Sequence, residues 1–103
     1  MKEGELEGEV LSIDSFGNII SNISEEELEF AGFNEGDSLV VTVGNKSSNV
    51  QFCSAYGEVP VGTLLTLVGS SNFLEAAANQ GSALKFFEAK IGDTFLVSKG
   101  ASN

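Results

Sequence analysis

The chain has 103 residues, 42% hydrophobic and 19% charged, with a net charge of −10, five basic residues and no histidine. This length suits one domain, able to bury roughly 65% of the surface its unfolded chain exposes. The charge argues against nucleic acid, whose phosphates need Lys or Arg, and the missing histidine rules out a Ser–His–Asp triad or a His-based metal site. There is no phosphate-binding glycine loop of the Walker or dinucleotide type. Cys53 is alone, so there is no disulfide framework, and it reads as a buried small hydrophobe. No signal peptide and no apolar run of membrane-crossing length is visible, so no membrane partner and a cytoplasmic location are expected. Nothing here suggests a metal, a covalently bound cofactor or a self-contained enzyme. Acid concentrates at 3–9 and 25–29, which reads as a solvated face.

Glycines separate short apolar runs, the pattern of an all-β chain. Val10 to Ile13 forms the core of a first strand reaching back to Leu6. Phe16 to Ser21 is expected to form a short second strand. Ser24 and Glu27 have the spacing of a capping box, so residues 25–30 should make a single helical turn. Ser38 to Val43 is a β-branched strand, paired as a hairpin with Asn49 to Ser54 across the 44–48 turn. Thr63 to Val68 is apolar on both faces, which suits a central strand. Phe73 to Ala78 reads as a strand and Ser82 to Phe87 as a short helix, with a turn at 79–81. Thr94 to Val97 is the last strand. The expected fold is all-β: about seven strands in two packed antiparallel sheets or a flattened barrel, with one or two short helices. Its core would hold Val10, Ile13, Leu39, Val41, Val50, Phe52, Leu65, Leu67, Leu74, Phe95 and Val97.

One turn carries more than a chain reversal needs. "IDSFGN", residues 13–18, places an acid, a phenylalanine and an amide between two strands. Asp commonly caps its own turn, Asn is an ordinary turn residue and Phe16 could be plain core. Gly17 lets the backbone bend without a Cβ. Two further segments stand in order behind it: "AYGEVPVGTLLTLVGSSNFLEAAANQGSA" (55–83) and "IGDTFLV" (91–97).

With "IDSFGNIISNI" (13–23), these segments resemble the C-terminal domain of the S-adenosylmethionine hydroxide adenosyltransferases, relatives of the enzymes that fluorinate or chlorinate the same cofactor. The resemblance runs from about Gly8 to Lys99. It implies an all-β domain that follows a larger α/β domain in a trimer, with each active site between neighbouring subunits. The β domain would supply much of the adenine and methionine recognition. This chain reads as the β half alone, residues 1–103, because the few residues before Gly8 leave no room for the other. The implied ligand is S-adenosylmethionine or adenosine.

The resemblance assigns roles residue by residue. Asp14 matches an acid near the methionyl ammonium, where a carboxylate gives a charge-assisted hydrogen bond. Phe16 matches an aromatic beside the adenine, and Asn18 an amide that reads its edge. Tyr56 matches an aromatic stacked on the base; as a bare residue it would be a half-buried strand-end tyrosine. Ser70 and Ser71 match a polar pair beside the methionine carboxylate, or else form an exposed serine turn. Halogenating relatives carry a basic residue at the second of these positions, so Ser71 tilts towards the branch that uses hydroxide. Asn79 matches a segment passing the adenine, or is a simple turn amide. Asn72 stands where the family commonly has glycine, and Ala76 to Ala78 replace bulkier aliphatics. No catalytic residue is assigned. The implied role is the ligand-binding half of a hydrolase that yields adenosine and methionine, inactive by itself. The competing expectation is a module that trimerises or joins an α/β partner without ligand.

Overall fold

The computed structural model describes residues 4–100. Seven strands are present: β1 (Glu5–Ile13), β2 (Ile19–Ser24), β3 (Ser38–Val43), β4 (Lys46–Phe52), β5 (Leu64–Val68), β6 (Phe73–Ala78) and β7 (Thr94–Lys99). They close into one barrel in the order β1-β2-β6-β5-β4-β3-β7. All pairs are antiparallel except β4 and β5, which run parallel. Closure leaves no unpaired sheet edge.

Two short helices sit outside the barrel: α1 (Glu25–Phe30) and α2 (Ala83–Phe87). The Ser24 capping box forms as the spacing predicts: Ser24 Oγ accepts from Glu27 N at 3.1 Å, and Glu27 Oε1 accepts from Ser24 N at 2.8 Å. Three glutamates in the first turn face the positive end of the helix. Ser24→Ala is expected to lower stability by about 1 kcal/mol in urea unfolding.

Most of the expected core residues are buried, with Leu39, Val41, Leu74, Phe95 and Val97 fully enclosed. Ile13 is different, being only half-buried. The β1–β2 register steps from Val10↔Ser21 to Ser12↔Ile20, so Leu11 is an extra residue. Strict alternation from Val10 would point Ile13 outward; the extra residue shifts the phase, so Ile13 stands opposite buried Ile19 and packs against the edge of the main core. Leu65 and Leu67 are buried, but in a second cluster with Cys53, Val59 and Ala77. Leu64 and Val68 instead pack on the main core, so β5 is apolar on both faces. The outer face of β5 and β6 is thus covered as well as the inner one. Cys53 is fully buried, and burial pushes its thiol pKa up, with negative charge from Glu58 adding to it.

Several boundaries differ from the sequence reading. The second strand starts at Ile19 rather than Phe16, because residues 14–18 form a closed turn. The fourth begins at Lys46, after a two-residue turn at 44–45. Asn72 adopts φ 68, the left-handed conformation that asparagine tolerates best after glycine.

Candidate functional site

Asp14 organises the turn between β1 and β2. Its Oδ1 accepts from Phe16 N at 2.9 Å and Asn18 N at 3.0 Å, and its Oδ2 accepts from Asn18 Nδ2 at 3.0 Å. The backbone closes with Asp14 N donating to Asn18 O at 3.1 Å and Gly17 N to Asp14 O at 3.0 Å. Asp14 is therefore a turn-capping residue, and it is exposed at the surface. The turn is also clamped to α2. Leu84 N donates to Gly17 O at 2.9 Å, and Ser82 Oγ accepts from Lys85 N at 3.3 Å. Both bonds satisfy N–H groups that the start of a helix leaves open.

These bonds orient the Asn18 side chain. An ionised carboxylate can only accept, so the NH2 group of Asn18 must face Asp14. That same nitrogen lies 3.4 Å from the Tyr56 hydroxyl. The amide oxygen is left without an intramolecular donor among the described residues and is free to accept from a ligand. Phe16 is not core. It is 77% exposed, and its ring stands in solvent.

Tyr56 comes from the segment that connects the parallel strands β4 and β5. A crossover is needed there, and this one folds over the outer face of the barrel. It is tied down at several points. Glu58 accepts from Ser54 N at 3.1 Å and from the Ser54 hydroxyl, which holds its carboxyl below the usual range. Asn79 Nδ2 donates to Val59 O at 2.8 Å, and Gly62 N donates to Asn79 O at 2.7 Å. The side chain of Asn79 is thus spent on positioning the Tyr56 segment. Burial raises the Tyr56 pKa, and the charges of Glu75 and Asp14 raise it further. The phenol stays protonated and can donate.

Phe16, Asn18 and Tyr56 line one open cleft together with the 78–81 segment, about 350 Å³ in volume. Four of the sequence candidates, Phe16, Asn18, Tyr56 and Asn79, therefore meet at one place, although most of the chain separates the first from the last. Asp14 stands behind them, bonded to Asn18. Ser70 and Ser71 do not line this cleft. They are exposed in the β5–β6 turn, at the opposite end of β6 from Asn79.

The sequence reading missed Glu75. It is 9% exposed, and pairing of Ile20↔Glu75 and Leu67↔Glu75 sets it in mid-sheet. Burial pushes its carboxyl pKa up, with the Asp14 charge adding to the effect. A signal was available: Glu75 is the single charge in "FLEAAA", and alternation places it on the face opposite Leu74 and Ala76.

Residues 8–96 match the family model of the SAM hydroxide adenosyltransferase C-terminal domain. The chain is 37% identical over 86 residues to (R)-S-adenosyl-L-methionine hydrolase of Thermus thermophilus, covering 84% of this chain but 29% of the hydrolase. The crystal structure of an uncharacterized conserved protein from Thermotoga maritima superposes with a TM-score of 0.90 at 31% identity, covering 96% of this chain and 38% of that one. That of a conserved hypothetical protein from Thermus thermophilus gives 0.64 at 33% identity, covering 96% and 36%. The chain spans well under half the length of each. With the match running from β1 into β7, this chain belongs to the SAM hydroxide adenosyltransferase C-terminal domain family.

Proposed function

We propose that this chain forms the adenine-recognising wall of an S-adenosylmethionine site in a SAM hydrolase. The observation that carries the reading is the Asn18 amide, its nitrogen held by Asp14 and its oxygen without an intramolecular donor among the described residues, in a cleft lined also by Phe16 and Tyr56. An amide oxygen accepts from the exocyclic amino group of adenine. Tyr56 and Phe16 offer faces for the base, and such stacking is worth about 1–3 kcal/mol per base in comparable systems. The cleft volume suits a nucleoside, near the lower end of small-ligand sites.

The remaining side of the site comes from an α/β domain, with the subunits arranged as a trimer. The exposed Phe16 ring is then covered by a neighbour. The reaction is displacement at the ribose C5′ by water, with the sulfonium departing as methionine. The β domain's part is to hold and orient the nucleoside. The 103-residue chain alone is therefore expected to release no adenosine from S-adenosylmethionine above the uncatalysed rate. Calorimetric titration with adenosine and inosine tests the assignment. Inosine carries a carbonyl oxygen where adenosine carries the amino group, so it sets an acceptor against an acceptor. Inosine is expected to bind at least about tenfold more weakly. Equal affinities would show that Asn18 does not read the base.

A further inference from the structure

Asn18 is only 7% exposed, yet its amide oxygen has no intramolecular donor among the described residues. No fully enclosed side-chain oxygen or nitrogen among them lacks a partner, so this oxygen keeps an opening to solvent, in the cleft that Asn18 lines. Rotation about the last torsion of an asparagine exchanges its oxygen and its nitrogen in nearly the same space. An unrestrained amide could therefore offer a ligand either an acceptor or a donor. It would suit a purine with an exocyclic amino group and one with a keto oxygen equally well.

Two contacts bear on which way the amide turns. The Tyr56 hydroxyl stands 3.4 Å from Asn18 Nδ2. A hydroxyl rotates to donate or to accept, so Tyr56 follows either orientation and selects neither. Asp14 Oδ2 stands 3.0 Å from the same nitrogen. A carboxylate only accepts, so Asp14 tolerates the amino end of Asn18 and repels the oxygen end. The carboxylate is itself fixed, because its Oδ1 accepts from Phe16 N at 2.9 Å and from Asn18 N at 3.0 Å. Two backbone donors thus hold the acid, the acid holds the amide, and the amide oxygen is what a ligand meets.

We propose that Asp14 is a positioning residue that sets the purine specificity of the cleft: by holding the amino end of Asn18 to itself, it makes the site select an amino purine over a keto purine. The inference rests on the reading above that the cleft takes adenosine. It needs no contact between Asp14 and the base, and it concerns the nucleoside alone, whatever tail the ligand carries. A one-atom change then reverses the choice. In Asp14→Asn the oxygen of the new amide must take the place of Oδ1, since an amino group there would face two backbone N–H donors. The new amino group falls at the place of Oδ2 and faces Asn18 Nδ2, donor against donor. Asn18 therefore turns over. Its oxygen accepts from the new amino group and from the Tyr56 hydroxyl, and its own amino group is offered to the ligand. A keto oxygen accepts from that group, and an exocyclic amino group does not.

The test is calorimetric titration of the full chain with three uncharged nucleosides: adenosine, inosine, and purine riboside, which carries only hydrogen where the others carry amino and keto groups. In Asp14→Asn the preference is expected to reverse, with inosine binding roughly tenfold more tightly than adenosine. A merely structural role would weaken all three nucleosides and keep their order, and that result overturns the proposal. The unsubstituted chain provides an independent measurement, needed should the variant not fold. Its locked acceptor should place inosine below purine riboside, because a keto oxygen set against it is worse than no group at all. Inosine binding as well as purine riboside would reveal an amide that turns freely, and overturns the proposal. Failure of the unsubstituted chain to bind adenosine overturns the adenine-site reading and this inference with it, whereas an unchanged preference in the variant overturns this inference alone.

Discussion

Gly17→Ala is expected to destabilise the chain by about 2–4 kcal/mol and to abolish adenosine binding. Two effects add. Gly17 has φ +83, where an L-residue is disfavoured by roughly 1–2 kcal/mol. Its Cβ would also stand 2.0 Å from Ser82 Oγ, 2.8 Å from Ser82 Cβ and 3.3 Å from Ser82 Cα. The hydroxyl can swing away, but the backbone of the helix cap cannot. The turn must lift from α2, which breaks the Leu84 N to Gly17 O bond, worth about 1 kcal/mol. Lifting the turn moves Phe16 and Asn18 together, so the cleft loses one wall. Gly32→Ala is the control. Gly32 has φ +86 but nothing within 4 Å of the added carbon, so only the backbone cost applies. Denaturant unfolding of the two variants separates the clash from the conformational cost. Equal losses would mean that contact with Ser82 does not hold the turn.

Asn18→Ala is expected to weaken adenosine binding by about ten- to a hundredfold, the range for losing one partner of a buried polar contact. The substitution removes the amide oxygen offered to the base. It also leaves Asp14 Oδ2 without its 3.0 Å donor and the Tyr56 hydroxyl without its neighbour. A general loosening of the site would weaken adenosine and inosine alike. Loss of a specific acceptor brings adenosine down to the level of inosine and leaves inosine nearly unchanged. Titration of the variant with both nucleosides distinguishes the two, and retained discrimination would remove Asn18 from the recognition scheme.

Without ligand, Glu75→Gln should make the chain more stable at neutral pH. The folded-state pKa of Glu75 is raised, so its ionisation disfavours the fold as pH climbs through that pKa, and glutamine avoids it. Thermal melts of both proteins at acid and neutral pH should therefore diverge only at neutral pH.

Much of this chain is legible locally. Alternation and glycine punctuation locate the strands, because burying one face of a sheet demands period two. The Ser24–Glu27 spacing predicts the α1 cap, since a four-residue segment contains both partners. "IDSFGN" stands out because its residues exceed what a turn requires, and the turn's own hydrogen bonds stay within five residues. That Val10 and Ile13, three residues apart, both turn to the core escapes such reasoning, because a bulge is a property of two paired strands rather than of one.

The sequence by itself determined an all-β domain, the cap, and a turn whose acid, aromatic and amide exceed what a chain reversal needs. Only the tertiary structure decided how these meet. Closure of the barrel places β6 between β2 and β5, bringing the 78–81 segment to the Asp14 turn. The parallel β4–β5 pair forces a crossover, which lays Val59 on the outer face with Leu67 and Ala77 and brings Tyr56 to the cleft. Periodicity states which face of a strand is apolar, but not which strand lies beside it. That order is set by pairings far apart in the chain, and the site is built from them.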